Sequence, residues 1–178
     1  MKPIFPMLLL MLAWYASAAP LSETAVIPTH APAVLVLHDQ FDKPQTLAFP
    51  TTNITFLTIA DKTGSEQLAG WIAPVKQRFG ERIDIRGLAD VSPAPRLLRS
   101  LVRKKFRELQ TYPVMMDWTG DAVKAFTYVP DKANVLVLDG RGRILLRISG
   151  PATKSAVQDL CVAIERALAN RDKSNSTP

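Results

Sequence analysis

An α/β protein, with one central mixed β-sheet covered by helices on both faces, is what this sequence predicts, and two observations carry that prediction. Segments rich in β-branched and aromatic residues alternate with segments whose apolar residues recur at helical spacing, which is the pattern of strand–helix–strand units with parallel neighbours and right-handed crossovers. The series then closes on two adjacent strand-like runs around Gly140-Arg141-Gly142, a hairpin signal, followed by a last amphipathic helix.

Taken in order, Val34–Leu37 and Thr46–Phe49 flank His38-Asp39-Gln40-Phe41-Asp42-Lys43-Pro44, whose polar and proline content predicts a hairpin connection. Asn53–Ala60 (NITFLTIA) has the composition of a buried strand. Glu66–Phe79 carries apolar residues at 68, 69, 72, 75 and 79, a helical stripe. Arg82–Ala89 alternates and predicts the next strand, with Ile83, Ile85 and Leu88 inward. Pro93 and Pro95 open a helix over Arg96–Leu109, because proline has no amide hydrogen to lose in a first turn. Its residues 97, 98, 101, 102, 106 and 109 form one apolar face, expected to pack inward. Pro113–Met116 predicts a short strand, Gly120–Phe126 a short helix, Asn134–Asp139 with Arg143–Ile148 the hairpin, and Thr153–Ala169 the final helix.

The ends read differently from this body. Lys2, the apolar run Ile4–Tyr15 and the small residues Ala16-Ser17-Ala18 have the layout of a secretory signal peptide, with cleavage expected after Ala18. That run is shorter than the ~20 residues needed to span a bilayer, and no other segment is apolar enough, so no membrane span is expected after cleavage. Residues 19–32 carry prolines without a clear period and predict an extended arm; residues 170–178 are polar and predict a flexible tail. One domain, 33–169, remains.

Composition narrows the chemistry. With 178 residues, 47% of them hydrophobic and 21% charged, the chain is neither disordered nor a polytopic membrane protein. Its one cysteine, Cys161, excludes an internal disulfide and any CxxC pair. His30 and His38 are too few for a histidine-rich metal centre, so neither metal nor other cofactor is expected. Two sequons occur, at Asn53 and Asn175, the first inside a predicted core strand.

The succession Ile54–Ala60, Trp71-Ile72-Ala73-Pro74, Ile83–Asp90, Tyr112-Pro113-Val114-Met115-Met116-Asp117 and Asn134-Val135-Leu136-Val137-Leu138-Asp139-Gly140-Arg141-Gly142-Arg143-Ile144 resembles the peroxiredoxin and TlpA-like branch of the thioredoxin-fold proteins, over about residues 33–169. The resemblance implies a thioredoxin-like three-layer fold and places a reactive thiol after the first central strand, where a helix N-terminus would lower its pKa. Aligning Ile72-Ala73-Pro74 with the similar thioredoxin triplet puts Glu66 and Ala69 at the two CxxC positions. Aligning Thr63 with the threonine of the peroxiredoxin TxxC motif also puts Glu66 at the cysteine. Both registers therefore leave the site without its nucleophile. The family's cis-proline before the hairpin strand, and the peroxiredoxin arginine near it, are replaced by Lys132-Ala133-Asn134.

The residues offer other readings of their own. Thr63-Gly64-Ser65-Glu66 matches a capping box, with a carboxylate acting as base or ligand group as the functional alternative. Cys161 lies among apolar residues of the last helix and reads as a small core hydrophobe, with a redox role as the other possibility. Asp61, Asp90 and Asp117 each follow a strand and could gather at the carboxyl edge of the sheet, where α/β folds bind ligands; turns alone also favour Asp there. Arg96, Arg99, Arg103, Lys104, Lys105 and Arg107 concentrate much of the +6 net charge on one helix, either a solvated face or a surface for an anionic partner. No aromatic interleaving of the kind that stacks bases accompanies them, and nucleic acid is not an expected partner.

The expected function is a non-catalytic binding or scaffold module of the bacterial envelope, periplasmic or secreted, for an unknown protein or anionic partner. It would use the degenerate active-site edge (Asp61, Lys62, Thr63, Ser65, Glu66) or the basic helix. The alternative is a redoxin-type antioxidant or thiol oxidoreductase working through Cys161 or a partner's thiol.

Overall fold

A computed structural model describes residues 29–175; the signal-like segment, most of the arm and the last three residues lie outside them. The elements are β1 (Val34–His38), β2 (Pro44–Ala48), β3 (Thr55–Ala60), α1 (Lys62–Ser65), α2 (Ala69–Phe79), β4 (Asp84–Asp90), α3 (Arg99–Leu109), β5 (Met115–Asp117), α4 (Asp121–Ala125), β6 (Asn134–Leu138), β7 (Ile144–Ser149) and α5 (Lys154–Asn175). Single 3₁₀ turns precede β4 and α3. The helix predicted over Glu66–Phe79 begins only at Ala69, as α2, with the separate one-turn α1 before Glu66, and the last helix continues to Asn175 through residues expected to be a tail.

Five strands form the main sheet in the order β5-β4-β3-β6-β7. β3 pairs parallel with β4, and β4 with β5, whereas β6 runs antiparallel to both β3 and β7. The two crossovers, through α2 and α3, step the same way along the sheet, so their common right-handedness puts both helices on one face. The pleat sorts the core accordingly. Phe56, Val135 and Val137 meet Trp71, Val75 and Phe79 of α2 and Leu160, Ile164 and Leu168 of α5. Leu57, Ile59, Leu136 and Leu138 face the other way, toward Ala122 and Val123 of α4 and toward Leu35, Leu37 and Leu47 of the β1–β2 hairpin. Every residue of β3 and β6 is buried, which is why these strands read as near-continuous apolar runs. In β4, Ile85 joins the α2 side and Leu88 the opposite one, so the strand is covered on both faces.

The hairpin turn is pinned by two polar residues with no exposed surface, Asp39 and Gln40. Asp39 accepts from the amides of Phe41 (2.8 Å) and Lys43 (3.0 Å) and from Gln45 Nε2 (2.9 Å). Gln40 reaches across the molecule, donating to Tyr112 O (2.8 Å) and accepting from Val114 N (2.9 Å). At the other end of the hairpin, Thr29–Ala31 of the predicted arm lies along the β6–β7 turn, with Ile144 N donating to Thr29 O and Ala31 N to Gly142 O, both at 2.8 Å. Gly142 itself, at φ +81°, lies where a Cβ would come within 2.9 Å of the Phe49 ring.

One expectation fails. The apolar face of α3 does not pack inward as a whole: Val102 and Phe106 contact Ala89, Val91, Val114 and Met116, but Leu97 is 94% exposed, Leu98 46%, Leu101 60% and Leu109 65%. The reason lies in the cations on the helix's other side. Arg99 and Arg103 stack over the Trp118 ring, 5.0 and 5.8 Å from its centroid, Arg103 also pairs with Asp42 (2.9 Å), and Arg107 donates to Gln40 O (2.8 Å). These contacts rotate the helix, bringing arginine stems toward the body and turning leucines out.

Candidate functional site

The site is the junction of the loop after β3 with the loop before β6, at the carboxyl edge of the parallel strands. Asp61 ends β3's run and caps α1, accepting from Gly64 N at 2.8 Å. Its second oxygen accepts from Asp131 N at 2.7 Å, so one carboxylate joins the two loops. The cap is thus Asp61, and the expected Thr63–Glu66 capping box does not form. Glu66 is the C-terminal cap residue of α1, its amide donating to Thr63 O at 3.3 Å, and its exposed carboxylate takes part in no hydrogen bond or ion pair among the described residues. Lys62, Thr63 and Ser65 are exposed beside it.

Gly64 shows how close the loops come. A Cβ there would lie 2.3 Å from Lys132 O, a backbone atom with no freedom to withdraw. Gly64→Ala should therefore force the loops apart and cost about 1–3 kcal/mol, read as a lower urea midpoint; an unchanged midpoint would show that the junction is looser than drawn.

Gln67 closes the junction further. Its side chain donates to Asp131 O and accepts from Ala133 N, both at 3.2 Å. Asn134, fully buried, accepts from Val129 N (2.8 Å) and Ser149 Oγ (2.8 Å) and donates to Val129 O and Lys132 O (2.9 Å each). Asp131 N and O, Lys132 O and Ala133 N are thus taken up by Asp61, Gln67 and Asn134. Gln67 carries no motif that marks it in the sequence, and Asn134 stands out there only as the residue in place of the family's arginine. A polar residue opening the apolar run NVLVL was the available signal, since a buried amide requires partners.

The carboxylates of Asp90 and Asp117, like that of Asp61, accept hydrogen bonds from the loop that follows each strand. Asp117 accepts from Thr119 N, Gly120 N and Val123 N (2.9–3.1 Å), and Asp90 accepts from Ser92 N and Oγ. Among the described residues no three His, Cys, Asp or Glu are placed to hold a metal ion. Tyr128 Oη donates to Asp90 Oδ2 at 2.5 Å. Burial first, then the hydrogen bond and charge of Asp90, raise the Tyr128 phenol above its ordinary value of 10. Because the fold favours the neutral phenol, this contribution is fully present below about pH 10 and is lost as pH rises through the raised value. Tyr128→Phe should lower stability by about 1 kcal/mol at pH 7 and flatten its fall above pH 10; denaturant titrations between pH 7 and 11 measure both, and an unchanged alkaline limb would remove Tyr128 from it.

Cys161 is buried in the α2–α5 core. It borders a shallow groove with Pro74, Arg78 and Lys154, in the second and third turns of α2 and away from the Glu66 loop. The basic helix does not join the site either; it covers the far edge at β4 and β5.

The strand order, the helix after β3 and the terminal hairpin and helix make this a thioredoxin-like fold. No family model and no curated protein sequence matches the chain. Solved structures do. The exposed lipoprotein thioredoxin of Streptococcus pneumoniae superposes with TM-score 0.57 at 15% identity, covering 72% of this chain and 97% of that one. A thiol:disulfide interchange protein of Chlorobium tepidum gives 0.54 at 19%, covering 79% and 97%. The peroxidoxin BcpB of Mycobacterium tuberculosis gives 0.54 at 19%, covering 78% and 94%. The fold is shared with redox proteins, and neither of the two aligned thiol positions in this chain carries a cysteine.

Proposed function

We propose that this chain is an exported thioredoxin-like module that binds a partner and carries out no thiol chemistry, with the edge formed by Asp61, Lys62, Thr63, Ser65 and Glu66 as its recognition surface. The observation that carries the reading is the state of Glu66, at the position the family resemblance assigns to the thiol. It is exposed and unengaged, while Asp131 N, Asp131 O and Ala133 N of the neighbouring loop are taken by Asp61 and Gln67. Disulfide exchange and peroxide reduction both need a thiolate that a substrate sulfur or oxygen can approach, and Cys161 is 4% exposed and packed among apolar side chains. Export rests on the residues of the signal-like segment. Among the described residues no helix is long and apolar enough to cross a membrane.

Insulin reduction and peroxide consumption by the purified protein should stay at background, with and without Cys161→Ser. Turnover that Cys161→Ser abolishes would overturn the reading in favour of a redoxin. On the binding side, reversing Lys62 and Glu66 (Lys62→Glu with Glu66→Lys) should weaken capture of partners from an envelope extract by about tenfold, as loss of one or two charge-assisted contacts would.

A further inference from the structure

We propose that the outward ridge of α3 docks on an anionic lipid bilayer. This goes beyond the module reading and stands whether or not thiol chemistry has been lost. The ridge begins at the turn before the helix, with Leu97 and Leu98, and continues to Leu101 in α3; Leu97 is the most exposed large apolar residue among the described residues. Arg96, Lys104 and Lys105, all exposed, flank these leucines. Arg96 and Lys104 have no carboxylate partner among the described residues, and Lys105 meets Glu108 at 3.8 Å. Leucines at the tip with cations around them match the depth profile of a membrane interface, where side chains enter the acyl boundary and Lys and Arg stay at the headgroups.

Other occupants fit less well. A second copy meeting this face about a two-fold axis would set Arg96 and Lys104 against the same residues, with Glu108 as the one acid of the helix. A protein partner would have to supply an acidic groove for a convex ridge. A bilayer accepts a convex ridge without a matching shape. Two grooves among the described residues, between α2 and α5 and beside Ile83–Arg86, lie away from this ridge. The opposite side of α3 is already used, by Val102 and Phe106 in the core and Arg99 and Arg103 on Trp118. The leucine side is left open among the described residues.

The test uses the full chain with the polarity-sensitive dye NBD on Leu97→Cys in a Cys161→Ala background, titrated with vesicles of phosphatidylglycerol and phosphatidylethanolamine, or of phosphatidylcholine alone. The dye reports on position 97, so capture by another part of the chain leaves its signal unchanged. We expect a blue shift with the anionic vesicles that fades as salt is raised. Arg96→Glu with Lys104→Glu should lower the apparent partitioning by about fivefold per charge neutralised, and Leu101→Asp by on the order of tenfold or more. These positions are exposed, and unchanged urea midpoints confirm folding. The proposal is overturned by no blue shift with anionic vesicles, by an equal shift with phosphatidylcholine that ignores the charge reversals, or by self-association or protein capture that Leu97→Asp abolishes while vesicles give no signal.

Discussion

Trp71→Ala should lower the stability of this protein by about 3–5 kcal/mol, the usual cost of emptying a buried aromatic site. Trp71 has no exposed surface and packs with Phe56, Val75, Phe79, Leu160 and Ile164. Its indole Nε1 donates to Gly150 O at 2.9 Å, fastening α2 to the turn between β7 and α5. Against a typical total of 5–15 kcal/mol, such a loss would leave a measurable unfolded fraction in mild denaturant. Trp71→Phe separates the two contributions, since it keeps most of the packing and leaves Gly150 O without its donor, at about 1–2 kcal/mol. Urea titration of both variants measures the pair. A cost below about 1 kcal/mol for Trp71→Ala would mean that α2, and with it the Glu66 loop, is not seated on this residue.

Asn134→Ala should cost about 3 kcal/mol or more, because it leaves Val129 N, Val129 O, Lys132 O and Ser149 Oγ without the amide that serves them. The loss is local as well as global: amide exchange at Val129 and Ala133 should speed up more than exchange in the α2–α5 core. Asn134→Asp is the sharper variant. It keeps an acceptor for Val129 N and Ser149 Oγ but sets a carboxylate oxygen against two carbonyls. Its buried carboxyl would have a raised pKa, so its stability should recover as pH falls and the group protonates, able to donate again. A variant equally stable at pH 4 and pH 8 would contradict the described network.

Most of the framework was legible in the residues. Asn53–Ala60 and the NVLVL run announce buried central strands by composition, and every residue of β3 and β6 is buried. The Gly140-Arg141-Gly142 turn announces its hairpin. The stripe of α2 was legible only in part. Positions 68, 72, 75 and 79 turn inward, but the exposed Ala69 was counted with them and the buried Trp71 was not. Gln40 reads as a polar loop residue because its role depends on distant residues: the partners of its side chain lie 70–74 positions away.

The sequence alone settles the order of strands and helices, and it settles that neither aligned thiol position carries a cysteine and that the one thiol belongs to the last helix. The element order and the place of Cys161 follow from composition and short-range periodicity, whereas the two thiol positions are those that the family resemblance assigns. Tertiary structure decides which carboxylate begins the helix after β3. The local spacing suits Thr63–Glu66 as well as Asp61–Gly64, and the contact of Gly64 with Lys132 selects the second. It likewise decides that Asp61, Gln67 and Asn134 engage the backbone of the loop at 131–133, and that Leu97 and Leu101 turn outward. Periodicity tells which side of a helix is apolar; which side is buried depends on partners such as Trp118, Asp42 and Gln40, brought together only when the chain closes on itself.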